Sequence, residues 1–357
     1  MRVHLLSDRG TTQNSWAFLA PLLRCRNELA ALGVSLRLFE RLDEAASDCD
    51  VLAVNSKALT EPWRQDSAGV LDRLEQARGR CGAIVYFERA SSAGVVQPDI
   101  IDRVDRYLKT ALYLDRAHYA RPVYCARLFA EHYHRTAGVQ DSPENFSVPL
   151  GEDQIAKLGV AWNTGLANYS RIGPRLARFY GRLPLSIFAA GPRSFRDPEG
   201  PRTIDVSCRI NTRYSFASVA HQRVEMARRL AHLLQTDRVG KLAYMRELEQ
   251  ASLVLSPFGY SEINYKDFEV FLTGGALIKP DMAHLETWPD YFQADETYFA
   301  HDWDLEDLEP LIEALLQDRE RRLAVAARGQ SIYRHHAASR AGREELAARF
   351  KQLCQVP

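Results

Sequence analysis

At 357 residues the chain exceeds one ordinary hydrophobic core, so two domains of roughly 150 residues are expected. Lys plus Arg balance Asp plus Glu at 46 each, which excludes a global field drawing the protein to nucleic acid or membrane. The six cysteines (Cys25, Cys49, Cys81, Cys125, Cys208 and Cys354) are scattered without a CxxC pair and read as reduced core thiols, not a disulfide or zinc framework. No run approaches the ~18 apolar residues needed to span a bilayer. The opening "MRVHLLSDRG" reaches charge too soon for a secretory leader, so a cytosolic protein is expected.

In chain order, "RVHLL" (2–6) reads as a strand, and "SWAFLAPLLRCRNELAALG" as an amphipathic helix with Ser15 as its cap and Gly33 as its stop. "SLRLFE" and "DVLAVNS" (50–56) follow as strands, then a helix over 68–78 and the strand "GAIVYFE" (82–88). Strands alternating with helices indicate parallel βαβ units. "RYLKTALYLD" fits a strand, while "ARPVYCARLFAEHYHR" fits either a strand or a helix. "GVQDSPENFSVPLGED" (138–155 region), rich in Pro, Gly, Ser and acids, is the best linker. Beyond it lie a basic helix in "RIGPRLARFYGRLP" and a loop over 191–202. A second alternation opens with the strand "TIDVSCRI" (203–210), helices over 219–235 and 241–250, and the strand "SLVLSP" (252–257). It closes with the helical segments after "ETYFAHDW" and a last helix over 341–354.

Several chemical motifs fail on context. "DCD" (Asp48, Asp50) and "DWD" (Asp302, Asp304) match a DxD metal pattern, but Asp50 precedes a strand where the motif must follow one. Asp304 reads as a helix N-cap with Asp307 three residues on. His132 and His134 lack a third ligand nearby, and His335-His336 lies among arginines. Neither a P-loop nor a dinucleotide glycine fingerprint occurs. No metal and no cofactor is expected.

The stretch "SLVLSPFGYSEINYKDFEVFLTGGALIKPD" holds more. Glu262, Lys266 and Glu269 read as charges on one short helix between two buried strands, with Lys266 on its surface. Phe268, Phe271 and Leu272 turn one side to the sheet, which puts Glu269 near the carboxyl edge where open α/β sheets bind ligands. A carboxylate there suits the adjacent hydroxyls of a ribose. Backbone N–H groups around Gly259, Tyr260, Ser261 and Glu262 suit a diphosphate.

These residues resemble the nucleotide-sugar site of GT-B glycosyltransferases, and are most similar to the branch that includes spore-coat maturation and surface-polysaccharide enzymes. "FEVFLTGGALI" takes the place of the family's Glu-bearing helix and following strand, and Glu269 that of its ribose-binding carboxylate. The resemblance covers about 203–336. It implies an α/β fold of two Rossmann-like domains facing across a cleft: 1–145 for the acceptor, 146–336 for the nucleotide sugar, and a helix over 337–357 crossing back. Six residues stand between Glu262 and Glu269, one fewer than between the family's two glutamates, and "RINTRYSF" lacks the family's glycine-rich loop. The segment after Gln235 is also too short for a full second strand.

The implied activity is sugar transfer from a nucleotide sugar to a glycan or glycolipid acceptor, without metal, in bacterial surface glycan synthesis. The alternatives are a sugar-nucleotide epimerase of similar fold and a non-catalytic nucleotide-sugar binding protein. Arg209, Arg213 and Lys279 are the candidate cations for the departing diphosphate. Asp281, His284 and Glu286 are candidates for sugar hydroxyls. Asp8, after the first strand, is either a general base or a turn former, and Glu262 is the second catalytic candidate. Trp162 and Asn163 are acceptor candidates, the Trp being equally a core residue. Nucleic acid is not an expected partner. The expected place is the cytoplasm, with contact at the inner face of the membrane allowed.

Overall fold

The computed structural model describes residues 1–89 and 92–356. Six strands form the first sheet: β1 (Arg2–Leu6), β2 (Ser35–Phe39), β3 (Cys49–Asn55), β4 (Cys81–Glu88), β5 (Arg106–Lys109) and β7 (Leu158–Val160). Their order is β2-β1-β3-β4-β5-β7, and every pairing is parallel. Helices cover both faces, so the central strands are apolar runs: Val51 to Asn55 is buried at every position. From β1 the chain steps outward to β2 and then returns to β3 on the other side. The loops leaving β1 and β3 therefore diverge, and a crevice opens at their carboxyl ends.

The second sheet is also parallel, in the order β12-β10-β9-β8, from β8 (Ile204–Ser207), β9 (Ala251–Leu255), β10 (Ala276–Pro280) and β12 (Phe299–His301). β8 is its edge, in keeping with the short segment after Gln235. A third, two-stranded antiparallel sheet joins the halves by pairing β6 (Ala111–Tyr113) with β11 (Leu285–Thr287). The last helix, Arg340–Cys354, lies back on the first sheet's half. Phe350 packs 6.2 Å from Phe87, Arg343 Nε donates to Glu28 at 2.8 Å, and Lys351 Nζ donates to the Leu32 carbonyl at 2.9 Å. This is the two-sheet α/β architecture with a helical tail that the resemblance implies; residue 357 lies outside the described residues.

Local expectations shift at several points. The strand β7 lies beyond the expected 138–155 linker, so the first sheet is completed only after residue 157 and the boundary at 145 falls inside its unit. Long-range pairing with β5 recruits a three-residue strand that no local pattern marks. The ambiguous segment "ARLFAEHYHR" carries a helix over Leu128–Ala137. The first long helix, Gln13–Arg24, is capped by Thr12, while Ser15 is buried and donates to Asp8. The helix after "DWD" starts at Leu308 behind Asp307, not at Asp304.

Candidate functional site

The helix following β9 spans Tyr265–Thr273, so Glu262 lies in the turn before it. Asn264 precedes its first residue, and Asp267 Oδ2 accepts from Asn264 N at 2.8 Å, holding the first turn. Gly274 stops it in the left-handed region at φ 69°, where a Cβ would come within 2.4 Å of the Arg196 carbonyl.

Two adjoining cavities lie where the sheets' carboxyl edges face each other. The larger, about 800 Å³, is lined by the loop after β1 (Asp8, Thr11 to Asn14), the segment after β3 (Lys57 to Arg64) and Arg89 after β4. Tyr260, Ser261 and Ile263 to Tyr265 close it from the other half. It thus occupies the crevice predicted by the strand order. The second, about 630 Å³, shares Gln13, Tyr214, Asn264 and Tyr265 with the first and reaches Ser256 and Pro257 at the end of β9.

The second cavity is strongly cationic. Arg171, Arg175 and Arg178 reach it from the helix Gly173–Tyr180 and the turn before it. Arg223, Arg238, Lys241 and Lys266 reach it from the second sheet's side, and Glu269 is its one carboxylate. Some of these charges are already engaged. Arg171 is bound to Glu249, Arg223 donates to the carbonyls of Asn211 (3.3 Å), Pro257 (3.1 Å) and Phe258, and Lys241 pairs with Glu269. Among the described residues, the side chains of Arg175, Arg178 and Arg238 have no ion-pair partner. Lys266 keeps part of its stem exposed while its ammonium is enclosed, donating to the carbonyls of Arg209 (2.5 Å) and Leu255 (3.2 Å). Burial pushes it down to about 8 from the usual lysine value. It is therefore not the helix-surface residue expected from the sequence.

The sequence-predicted residues divide sharply. Glu269 lines the cationic cavity, 7% exposed, with its carboxylate paired to Lys241. Asp8, Tyr260 and Ser261 line the larger cavity. Asp8 accepts from Gly10 N (3.2 Å), Thr11 Oγ1 (2.6 Å) and Ser15 Oγ, so it builds its turn while facing the cleft. Tyr260 bonds Ser215 Oγ at 2.7 Å.

Other assignments need correction. Arg209 is committed to Glu247 at 2.9 Å, and Arg213 is exposed and lines neither cavity, although its neighbour Tyr214 lines both. Lys279 is fully buried against Asp267. Glu262 is 1% exposed and accepts from Ser92 Oγ (2.8 Å) and Ala93 N (3.4 Å), clasping the two halves away from the cleft. The N–H of Gly259 donates to the Ser261 carbonyl at 2.9 Å, which takes one of the four expected diphosphate donors, and Tyr260 and Ser261 line the larger cavity, not the cationic one.

Trp162 is fully buried, stacked on Phe18 at 5.0 Å, and Asn163 spends its amide on Pro289 O (2.8 Å) and Gly165 N (2.9 Å). Neither reaches an acceptor. Asp281 accepts from Ala283 N at 3.1 Å, His284 is half-buried with its ring nitrogens enclosed, which pushes it down to about 4, and Glu286 pairs with Arg116. None of these three lines either cavity. Asp48 and Asp50 both pair with Arg2.

Sequence reasoning missed Arg175, Arg178, Arg238, Lys241 and Arg89. The signal for the first two was present: arginines three apart in "RIGPRLARFYGRLP" put their charges on neighbouring helix positions. Asp267 was legible as an acid three residues after Asn264.

No family profile and no curated protein matches the chain. Solved structures of similar outline exist at low identity. An alpha-glucosyltransferase in complex with UDP-glucose and DNA containing an abasic site is 11% identical, with 99% of each chain covered and a TM-score of 0.42. HepE of Anabaena in complex with UDP is 10% identical over 98% of each chain, with a TM-score of 0.46. Sucrose-phosphate synthase from Thermosynechococcus elongatus is 11% identical over 99% of this chain and 98% of that one, with a TM-score of 0.45. Likeness at this level leaves the chemistry to be argued from the chain's own residues.

Proposed function

We propose that this protein transfers a sugar from a nucleotide-sugar donor, held in the cationic cavity, to a glycan or glycolipid acceptor in the adjoining cleft. One observation carries the reading: a cavity rich in unpaired arginines, with a single carboxylate, opens directly into a second cavity at the facing carboxyl edges of two parallel sheets. A nucleoside diphosphate leaving group gains negative charge as its bond to the sugar breaks. Fixed cations stabilise that charge without reorganising; on this reading Arg175, Arg178 and Arg238 contact it, and Lys241 and Lys266, already engaged, add their positive field. Glu269 accepts from the ribose hydroxyls. Asp8, on the acceptor side, is the carboxylate to receive the proton of the attacking hydroxyl. On this reading the cations suffice and no divalent metal takes part.

The resemblance of residues 252–281 to surface-polysaccharide enzymes supports a place in bacterial surface glycan synthesis. The segment 171–193 supports a lipid-linked acceptor. Ile172, Phe179, Leu183 and Ile187 are each more than half exposed, at 57%, 51%, 53% and 59%, and with Leu176 the first three follow helical spacing. Five arginines and no acid occur in this stretch. An apolar stripe rimmed by cations suits the interface of an anionic bilayer. No helix among the described residues is long and apolar enough to cross a membrane.

The test is a thermal-shift screen of nucleotide sugars, followed by an assay of nucleoside diphosphate release. A ligand at ~100 times its dissociation constant adds about 2.7 kcal/mol. Release that depends on an acceptor is the expected result. Binding with no release under any acceptor would favour the binding-protein alternative, and interconversion of the sugar on the intact nucleotide would favour the epimerase.

A further inference from the structure

Arg89 follows β4 at the carboxyl edge of the first sheet and is 3% exposed. Its backbone N–H donates to Ser56 Oγ at 2.9 Å, but its side-chain Nε and Nη1 are buried and have no acceptor among the described residues. The guanidinium carbon stands 5.6 Å from the centre of the Phe18 ring, and the side chain lines the larger cavity together with Thr164 and Tyr265. Burial pushes its pKa down to about 10, which leaves it charged at neutral pH. A guanidinium carries five donors and accepts nothing, so only an acceptor group brought to it can satisfy those that are unmet.

The neighbouring acids do not fill that role. Glu88 accepts from Ser56 Oγ (3.1 Å), Gln97 Nε2 (3.1 Å) and Tyr107 OH (2.9 Å). Asp8 is engaged in its own turn, and Glu61 accepts from Gln65 at 3.0 Å with Arg64 close by. Lys57 adds a further cation to the cavity wall. Among the described residues no acid forms an ion pair with Arg89, and Glu88 supports its charge only from a distance. A buried cation without a paired counter-ion is a costly arrangement to keep, and a planar guanidinium matches the paired oxygens of a carboxylate or phosphate.

We propose that Arg89 anchors an anionic group, a carboxylate or a phosphate, on the second substrate, so that the acceptor is an acidic sugar or a sugar phosphate. That this substrate is the acceptor rests on the transferase reading; the anion subsite does not.

The experiment titrates the 357-residue chain with glucose, glucuronate and glucose 6-phosphate, with UDP present to occupy the cationic cavity. Wild type is expected to bind at least one of the anionic probes about tenfold or more tighter than glucose, and the two anionic arms decide between carboxylate and phosphate. Arg89→Met is expected to bind all three alike while its UDP affinity stays at the wild-type level. Arg89→Lys, which keeps the charge and loses the fork, is expected to fall between them. Melting temperature is the folding control, and Arg89→Met is expected to melt no lower than wild type because an unsatisfied buried charge has been removed. Equal affinity for all three probes in wild type, or an anionic preference that survives in Arg89→Met, would overturn the proposal. An Arg89-dependent preference without UDP binding would keep the subsite and remove the transferase reading. UDP binding without the preference would do the reverse.

Discussion

Lys279 Nζ lies 3.2 Å from Asp267 Oδ2, and neither side chain has any exposed surface. Asp267 also accepts from Ser256 Oγ at 2.5 Å and from Asn264 N at 2.8 Å, and Lys279 donates to the Ser256 carbonyl at 3.4 Å. The pair ties the end of β9, the strand β10 and the start of the helix Tyr265–Thr273 at one point beneath the cationic cavity. Removing one partner strands the other as an uncompensated buried charge. Asp267→Ala or Lys279→Met is therefore expected to cost about 3–5 kcal/mol, and replacing both by apolar residues to cost less than either alone. Urea denaturation of the three variants measures this. Single variants within about 1 kcal/mol of wild type would show the pair to be dispensable.

Donor binding separates the cavity residues from the residues outside it. Glu269→Ala is expected to lower nucleotide-sugar affinity by about a hundredfold, since two charge-assisted hydrogen bonds are lost. Arg175→Ala and Arg178→Ala are each expected to lower it about tenfold. Arg213→Ala, on an exposed loop, should leave it unchanged. Calorimetry on the four variants is the measurement, and an Arg213→Ala loss as large as that of Arg178→Ala would displace the donor from this cavity.

Lys266 makes donor binding pH-dependent. Burial lowers it from the usual 10.5 to about 8, so between those values the folded chain holds fewer protons than the unfolded one. Its contribution to stability is therefore absent below about pH 8 and grows as pH rises toward about 10.5. Binding runs the other way. The charged ammonium attracts the diphosphate, so UDP affinity should be full at neutral pH and fall as pH rises through about 8, with proton uptake on binding near that value. Calorimetry in buffers of different ionisation heat reads the uptake directly. Lys266→Met should abolish both the uptake and the fall, and an unchanged pH profile in that variant would assign the effect elsewhere.

Chelator should leave transfer intact. Asp48 and Asp50 are bound to Arg2, and Asp302 and Asp304 lie outside both cavities. Among the described residues the one close trio of metal-ligating groups is His335, His336 and Glu345, which lines neither cavity. Activity lost with excess chelator and restored by Mg²⁺ or Mn²⁺ would reverse this reading.

The exposed stripe on 171–193 is expected to bring the protein down with vesicles containing phosphatidylglycerol but not with pure phosphatidylcholine. Leu183→Glu with Ile187→Glu should abolish sedimentation at unchanged UDP affinity, because neither residue lines either cavity. Equal binding to neutral vesicles, or none to either, would count against a lipid-linked acceptor.

The alternation of apolar runs and helical periods determined most of the element order on its own. "DVLAVNS" and "GAIVYFE" can be little else than strands buried on both faces, and "TGGALI" writes a helix stop and the next strand within six residues. The nearness of Glu269 to a sheet's carboxyl edge followed from the same local pattern. Periodicity sets which face of an element is buried; it does not say which distant charge that face will meet. Tertiary pairing alone decided that Arg209 is taken by Glu247, 38 residues away, and that Lys279 is taken by Asp267. It also decided that Trp162 stacks in the core beside Phe18, and that β7 completes the first sheet beyond an apparent linker. The convergence of Arg175, Arg178, Arg238 and Lys241 on one cavity depends on segments that the fold, not the local sequence, brings together. A charge acquires its role from what remains unpaired after packing, and that is settled only when the whole chain has closed on itself.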